Sequence, residues 1–559
     1  MANVKKASAN KPISGSTLFD KLENWTKTND KKLFYTLLIA CVILTFISFN
    51  ARISEAHDDA LYLEGGWRFV NEFPKYFYTQ NAPLYPMFLA LLIKAFGFHL
   101  IFFKLFSSVF NIIGFVLFYK ALKGRVPAVV FLPIVIFQAC NHLIIYYASM
   151  TFTEAFYFCL QGFFFYVAVK LIDRYKTEEF SIQLQWKNFL LLGLSMFLIS
   201  TLKSSAIVVI PAVLLYFAFE KQFKAAAAAV AGYLVFKIPY ELLVRAIWKA
   251  DNQFKGQGKI LLQKDPYDAS QGQEDAAGFI TRFIENADLA ISKRFYQLLG
   301  WRSELSTEVH GYVTVITLAI ALFGFWQLLK DKRKDLILLS LFTGAQLALS
   351  WIILQTRWDQ ARITLVGMPI LLMMMFYGLY RVFAQQKFYV LYMALVVLVS
   401  GSGLISSLKR GTSNIPIIKK NLAGDKYYGY TPDWQNFLKC SEWCADSLPE
   451  KTLVASRKAP MSFVYGHGKK FFPVYSVVHR DTTTRQSNPD SALAYFEKNK
   501  VTHIMLASLR ANPQHPEVGI INTIHHILYP IIEKYPQKLR LVHTEGQVEE
   551  CQVFEFVYH

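Results

Sequence analysis

Two adjacent carboxylates, Asp58 and Asp59, follow the first long apolar segment in the run His57-Asp58-Asp59-Ala60-Leu61-Tyr62, and Ala82-Pro83-Leu84-Tyr85-Pro86 comes soon after. At the outer surface of a membrane, a carboxylate can act as general base on a substrate held there by a lipid. The same acids also suit a plainer role as N-cap and first-turn acid of a helix that starts at Ala60, worth about 1 kcal/mol. Other polar residues sit near the ends of apolar runs: Thr153 and Glu154, Lys203 inside Ile199-Ser200-Thr201-Leu202-Lys203-Ser204-Ser205, and Arg357, Asp359 and Arg362 inside Gln355-Thr356-Arg357-Trp358-Asp359-Gln360-Ala361-Arg362. Lys203 is either a solvated turn lysine or a phosphate ligand. The two arginines either anchor a loop to lipid headgroups or clamp an anionic phosphate through forked hydrogen bonds.

The elements that carry these residues are apolar. Of 559 residues, 53% are hydrophobic and 18% charged, and the mean hydropathy is +0.27, against about 25% charged in soluble domains. The chain reads as a polytopic α-helical membrane protein. Crossings are expected near 33–49, 99–119, 126–147, 154–172, 188–201, 205–219, 225–245, 309–329, 336–354, 363–380 and 388–407, eleven in all. The segment 84–97 is apolar but short and is taken to lie along the interface. The first crossing follows about thirty mostly polar residues without a small-residue cleavage site after it, which reads as an uncleaved signal anchor.

A net charge of +19 raises nucleic acid as a partner, but no aromatic-interleaved basic groove or binding motif accompanies it. Basic residues instead fix orientation. The tail 1–32 holds Lys5, Lys6, Lys11, Lys21, Lys27, Lys31 and Lys32 against Asp20, Glu23 and Asp30, and Lys330-Asp331-Lys332-Arg333-Lys334-Asp335 is similarly basic. Both belong in the cytoplasm. An odd number of crossings then puts the outer loops 51–98 and 246–308 and the segment 409–559 on the far side, together with Asp58, Asp59, Glu154, Lys203, Arg357 and Arg362. Acids and bases converging from several loops on one side describe a site.

At these residues the chain resembles the GT-C superfamily of integral-membrane glycosyltransferases, in particular the branch of the protein O-mannosyltransferases and lipid A aminoarabinose transferases. The likeness spans nearly the whole chain. Four patches carry it: Asp58-Asp59-Ala60-Leu61-Tyr62, Pro83-Leu84-Tyr85, Met150-Thr151-Phe152-Thr153-Glu154, and Leu192-Gly193-Leu194 running on to Lys203. The resemblance implies a catalytic domain over 33–408 that moves a sugar from a polyprenyl-phosphate donor to a hydroxyl of a glycan, lipid or protein, with inversion. It implies Asp58 as base with Asp59 second, Glu154 orienting the acceptor or sharing the base role, and Lys203, Arg357 and Arg362 on the leaving phosphate, with Tyr62 and Tyr85 in the substrate-binding wall. Relatives often carry a basic residue and a double proline where this chain reads Gln80-Asn81-Ala82-Pro83, so one phosphate contact is missing, for which Lys75, Tyr76 or Tyr78 could substitute. An acid pair can bind a divalent cation, but no metal or other cofactor is favoured. The expected place is a bacterial inner membrane.

The loop 246–308 is too polar to cross a bilayer, and 276–295 has helical apolar spacing; it either covers the cavity or forms a cap without a substrate role. Beyond residue 409, helices at 432–447, 491–499 and 521–535 alternate with strands at 452–456, 502–507, 539–544 and 551–558, a small α/β domain. It carries no phosphate loop or nucleophile elbow and is assigned acceptor recognition or scaffolding. Of six cysteines, Cys41, Cys140 and Cys159 fall in crossings, while Cys440 or Cys444 with Cys551 either form a disulfide or remain free thiols. The rival readings are a transporter or flippase of a lipid-linked sugar, which usually shows repeated halves, and a non-catalytic scaffold of the same fold.

Overall fold

The computed structural model describes residues 17–558 apart from 178–181, 250–254, 267, 384–387, 482 and 514. Lys5, Lys6 and Lys11 of the tail, Tyr267, and parts of the connectors 173–187 and 381–387 therefore lie outside the described residues.

Each of the eleven apolar segments folds chiefly as helix, as it must where hydrocarbon offers no partner to backbone polar groups. Among the described residues, seven helices are long and apolar enough to cross a membrane: Leu100–Leu122, Ala128–Tyr147, Thr153–Arg174, Phe223–Trp248, Gly311–Lys330, Lys334–Ile353 and Tyr389–Leu422. The other expected crossings correspond to the helices Asp30–Ile47 and Ile182–Leu202 and the shorter apolar stretches Ser204–Phe219 and Met368–Phe383. The segment read as interfacial is the helix Leu84–Phe96. Close packing holds the bundle together. A Cβ on Gly193 would stand 2.1 Å from the backbone carbon of Gly232, so the Ile182–Leu202 and Phe223–Trp248 helices touch backbone to backbone. At Asn141 the third crossing, 126–147, breaks: the Asn141 side-chain oxygen accepts from the amides of Leu143 (3.0 Å) and Ile144 (3.3 Å) while its amide donates to the Leu298 carbonyl (2.6 Å). One side chain thus caps a new helical turn and ties down the long loop.

That loop is ordered by its own polar groups. Strands β1 (Gln263–Asp265) and β2 (Asp268–Gln273) pair as a hairpin. The helix Ala276–Asp288 starts on Asp275, whose side chain accepts from the Gly278 amide at 2.7 Å. Buried Arg282 then bonds the carbonyls of Leu261 and Gln263 at 2.7 and 2.9 Å and pairs with Glu274.

The last apolar segment, expected over 388–407, does not end its helix there. Its helix runs on to Leu422, 34 residues in all. The α/β domain then begins with the helix Pro432–Ser447. Strands β3 (Val454–Ser456), β4 (Phe471–Pro473), β5 (His503–Ala507), β6 (Leu539–Glu545) and β7 (Cys551–Phe556) form one sheet in the order β4-β3-β5-β7-β6. β3 is parallel to β4 and β5, whereas β7 is antiparallel to β5 and β6. Strand β4 and the helix Ala459–Tyr465 were not expected, because each is too short to display a period. One apolar core is continuous from the bundle to Trp434, Phe437, Met505 and Val553, while Phe496, Ile504, Ile527 and Leu528 form a second. Cys440, Cys444 and Cys551 are free and buried.

Candidate functional site

Asp58 and Asp59 begin the helix Asp58–Asn71, where the positive end of the helix favours acids. They are neighbours with different surroundings. Asp59 is fully buried, and its two oxygens accept from the Ser54 amide and hydroxyl, both at 2.9 Å. Burial pushes its carboxyl up, opposed by Lys104 and by those hydrogen bonds. Lys104, itself fully buried, donates to the carbonyls of Arg52 (2.7 Å) and Ser149 (3.3 Å). Asp59 therefore shapes the 54–59 turn from behind. Asp58 remains partly open and makes an ion pair through Oδ2 with Arg362, whose Nε donates to Gln360 and whose guanidinium lies 5.1 Å from the Phe152 ring centre. No donor among the described residues reaches Asp58 Oδ1.

Glu154, second residue of the Thr153–Thr177 helix, is 1% exposed and pairs with Lys203 Nζ at 3.1 Å. Lys203 stands in the break between the Ile182–Leu202 helix and the short 3-10 turn Ser204–Val208, and its ammonium lies 5.4 Å over the Tyr157 ring. The charges of Asp58 and Glu154 both bear on Arg362, and all three bear on Tyr62. Lys203, Glu154, Arg362 and Asp58 therefore form a chain of alternating charge against the Tyr62 ring. Tyr62 is buried, takes a 3.4 Å hydrogen bond from Asn81, and meets Tyr85 edge to face at 5.5 Å. Tyr85 is equally buried and shares a 3.3 Å hydrogen bond with Ser107; it forms the wall behind Tyr62.

Arg357 is not brought to this chain of charges. Its side chain is 63% exposed and pairs with Asp265 of β1 at 2.8 Å. Asp359 likewise turns to the long loop, meeting Lys293 at 2.5 Å and Arg294 at 2.6 Å. Between the loop and the 350–364 segment lies a cleft of about 280 Å³ lined by Asn286, Arg294, Trp351, Trp358, Asp359 and Gln360, among others. Of the residues proposed to replace the missing basic contact, Tyr76 stacks under Arg68 at 4.0 Å, Tyr78 is buried, and Lys75 is exposed.

The α/β domain also reaches the site. Lys458, 8% exposed, precedes the helix Ala459–Tyr465 and donates to the Glu55 carbonyl at 2.8 Å. Burial and the neighbouring Arg457 bring its ammonium down to about 8, against the pull of Asp58, Glu55 and Asp59. The Tyr430 hydroxyl donates to the Ile53 carbonyl at 2.6 Å, its ring lies under Arg52 at 4.5 Å, and Phe463 meets Trp67 at 5.2 Å. His57, with a positive φ of 65°, is held well below its usual range by burial and by Lys458, Arg457 and Arg362. Among the described residues, the one group with the spacing of metal ligands is Glu442, Asp446 and His467, on the surface of this domain.

No protein-family model matches the chain, and no curated protein matches its sequence. Solved structures do match its shape. ArnT from Cupriavidus metallidurans in the apo state superposes with a TM-score of 0.53 at 10% identity, over 94% of this chain and 98% of that one. The same protein bound to undecaprenyl phosphate gives 0.54 at 11% identity over the same shares. The Archaeoglobus fulgidus oligosaccharyltransferase tethered with an acceptor peptide gives 0.53 at 10% identity, over 96% of this chain and 75% of that one.

The chain has the GT-C fold.

Within the GT-C fold of this chain, the residues that sequence reasoning overlooked are Lys104, Lys293, Arg294 and Lys458. Lys104 had a legible signal, as a lysine inside the run Leu100-Ile101-Phe102-Phe103-Lys104-Leu105. Lys458 had little: Arg457-Lys458-Ala459-Pro460 reads as a solvated turn before a helix.

Proposed function

We propose that this protein is a membrane glycosyltransferase that moves a sugar from a polyprenyl-phosphate donor to an acceptor hydroxyl at the outer face of the inner membrane, with its amino terminus in the cytoplasm. The observation that carries the reading is the Asp58–Arg362 pair beside the Glu154–Lys203 pair: a partly open carboxylate held on a cation, with Glu154 bearing on the same arginine. ArnT was solved with undecaprenyl phosphate and the archaeal oligosaccharyltransferase with a peptide acceptor. Those ligands support a polyprenyl-linked donor and a glycan, lipid or peptide acceptor here.

In this mechanism the acceptor oxygen attacks the anomeric carbon from the face opposite the phosphate, and its proton passes to Asp58 Oδ1. The bond from that carbon to the phosphate oxygen breaks with its electron pair on the phosphate, and inversion follows from in-line attack. Arg362 pairs with Asp58 and, with Lys203, meets the growing negative charge, which preorganised cations stabilise best in a site shielded from water. Glu154 holds Lys203 and orients the acceptor. Asp59 supports from behind, Tyr62 and Tyr85 line the sugar side, and Arg357 secures the long loop through Asp265.

The test is turnover of a panel of polyprenyl-phosphate sugars by purified wild type and D58N, read as release of polyprenyl phosphate. Release by wild type and its loss in D58N, with donor binding kept, is the expected result. Equal release by both would remove Asp58 from the chemistry.

A further inference from the structure

The parallel half of the sheet in the α/β domain turns the ends of its strands towards the Asp58 centre. In the order β4-β3-β5 the chain leaves β3 for β4 on one side, and leaves β5 for β7 and β6 on the other. Between the carboxyl ends of β3 and β5 the winding therefore reverses, and the crevice outside such a reversal is where open α/β sheets take ligands. Arg457 and Lys458 come directly after β3, and Tyr475 soon after β4. Lys458 donates to the Glu55 carbonyl at 2.8 Å, and the Tyr475 ring meets the His57 ring edge to face at 5.7 Å. Arg457 reaches across to Thr523, in the segment after β5, through Nε at 3.1 Å. The crevice thus lies against the residue before Asp58, and the charge of Asp58 bears on both Lys458 and Tyr475.

The charges here do not balance. Asp58 has Arg362 and Glu154 has Lys203, whereas among the described residues no carboxylate lies within ion-pair distance of the buried Lys458 ammonium. That ammonium gives one proton to Glu55, stands 5.4 Å over the Trp434 ring and keeps two donors. A buried cation without a counter-charge is costly, and an anionic ligand removes that cost where a neutral one does not. His57 supplies the complementary atom. Its Nδ1 lies 3.0 Å from the Ala56 carbonyl, and a carbonyl only accepts, so Nδ1 carries the proton of the neutral ring and Nε2 is a bare lone pair. Nε2 is buried and has no partner. An anion on Lys458 and a hydroxyl donating to His57 Nε2 satisfy the crevice together, beside the carboxylate assigned as base.

We infer that this crevice of the α/β domain selects an anionic saccharide as acceptor, with its phosphate or carboxylate on Lys458 and Arg457 and a hydroxyl on His57. The inference rests on the glycosyltransferase reading in taking the bound saccharide to be the acceptor; the binding is measured without turnover. Full-length wild type, R457M, R457K and K458M in zwitterionic nanodiscs are titrated with methyl glucoside, glucuronate and glucose 6-phosphate and, separately, with undecaprenyl phosphate. Wild type is expected to bind the anionic probes about tenfold or more tighter than methyl glucoside, the scale of a charged hydrogen bond, and the tighter of the two identifies the anionic group. R457M and K458M are expected to lose most of that preference and R457K to keep it. An unfolded variant loses methyl glucoside as well, so selective loss marks the cations. Equal binding of charged and neutral probes by wild type, or binding of none, overturns the inference and leaves the transferase reading to its own test, the release of polyprenyl phosphate. A preference kept in both R457M and K458M overturns the placement. Loss of undecaprenyl phosphate by R457M in the same proportion overturns the acceptor assignment and gives these cations to the donor.

Discussion

Lys458 of the α/β domain donates to the carbonyl of Glu55 at 2.8 Å, so the turn that presents Asp58 is fastened to a domain some four hundred residues away in the chain. A buried ammonium on a backbone carbonyl is costly unless its position matters. K458M is expected to lower turnover several-fold with donor affinity unchanged, and K458R to recover part of it, as measured by steady-state kinetics and a donor titration.

The pH dependence of that contact has a definite sign. An unfolded chain leaves the Lys458 ammonium at its ordinary value of about 10.5, and burial in the folded protein brings it down to about 8. Between these values the unfolded state binds more protons, so stability rises with pH across that window. Below pH 8 the charge is present in both states and its burial penalty is complete. The apparent melting temperature of wild type should therefore climb relative to K458M from pH 8 towards pH 10.

Asp58 and Asp59 should separate cleanly. D58N is expected to cost about a hundredfold or more in turnover, the scale of a lost general base, with little change in melting temperature. D59N removes the charged acceptor of two Ser54 hydrogen bonds and should destabilise by roughly 1 to 3 kcal/mol, with S54A moving the same way. Turnover and thermal unfolding of the three variants decide the matter.

K203M leaves Glu154 buried and without its cation, a loss of about 3 kcal/mol for a pair of this kind. The double variant K203M/E154Q should regain most of that stability and none of the activity. A double-mutant cycle on melting temperature would show the coupling.

Sidedness is testable at exposed positions. Cysteines replacing Leu305, Arg357 and Val548 should react with a membrane-impermeant maleimide from the outer face, and one replacing Lys332 only after permeabilisation. Labelling of all four from one side would refute the orientation.

The helical bundle was legible because each crossing is a long apolar block between charged connectors, and Glu154, Lys203 and Arg362 were legible because each interrupts or borders such a block. Sequence alone could not tell Asp58 from Asp59: a turn at Ser54 and a positive φ at His57, not residue type, aim one outward and one inward. Arg357 and Arg362 looked alike for a similar reason. Five residues apart across a 3-10 turn and a helix start, they point to different partners. The extension of the last crossing to Leu422 was hidden because its final turns are polar, as in Lys409-Arg410-Gly411-Thr412-Ser413-Asn414, and Pro416 reads as a stop.

That extension sets a phase. The Tyr389–Leu422 helix, 34 residues long, spans about 51 Å at 1.5 Å per residue, well beyond a hydrocarbon core of about 30 Å. Its later turns are anchored by the Asn414 amide on the Phe49 carbonyl at 2.8 Å. Such a strut carries the α/β domain at one height and one azimuth, and every residue added to it would lift the domain by about 1.5 Å and swing it by about 100°. A single insertion between Asn414 and Leu422 is enough to carry Lys458 away from Glu55, so the length of this helix is as much a part of the candidate site as Asp58 itself.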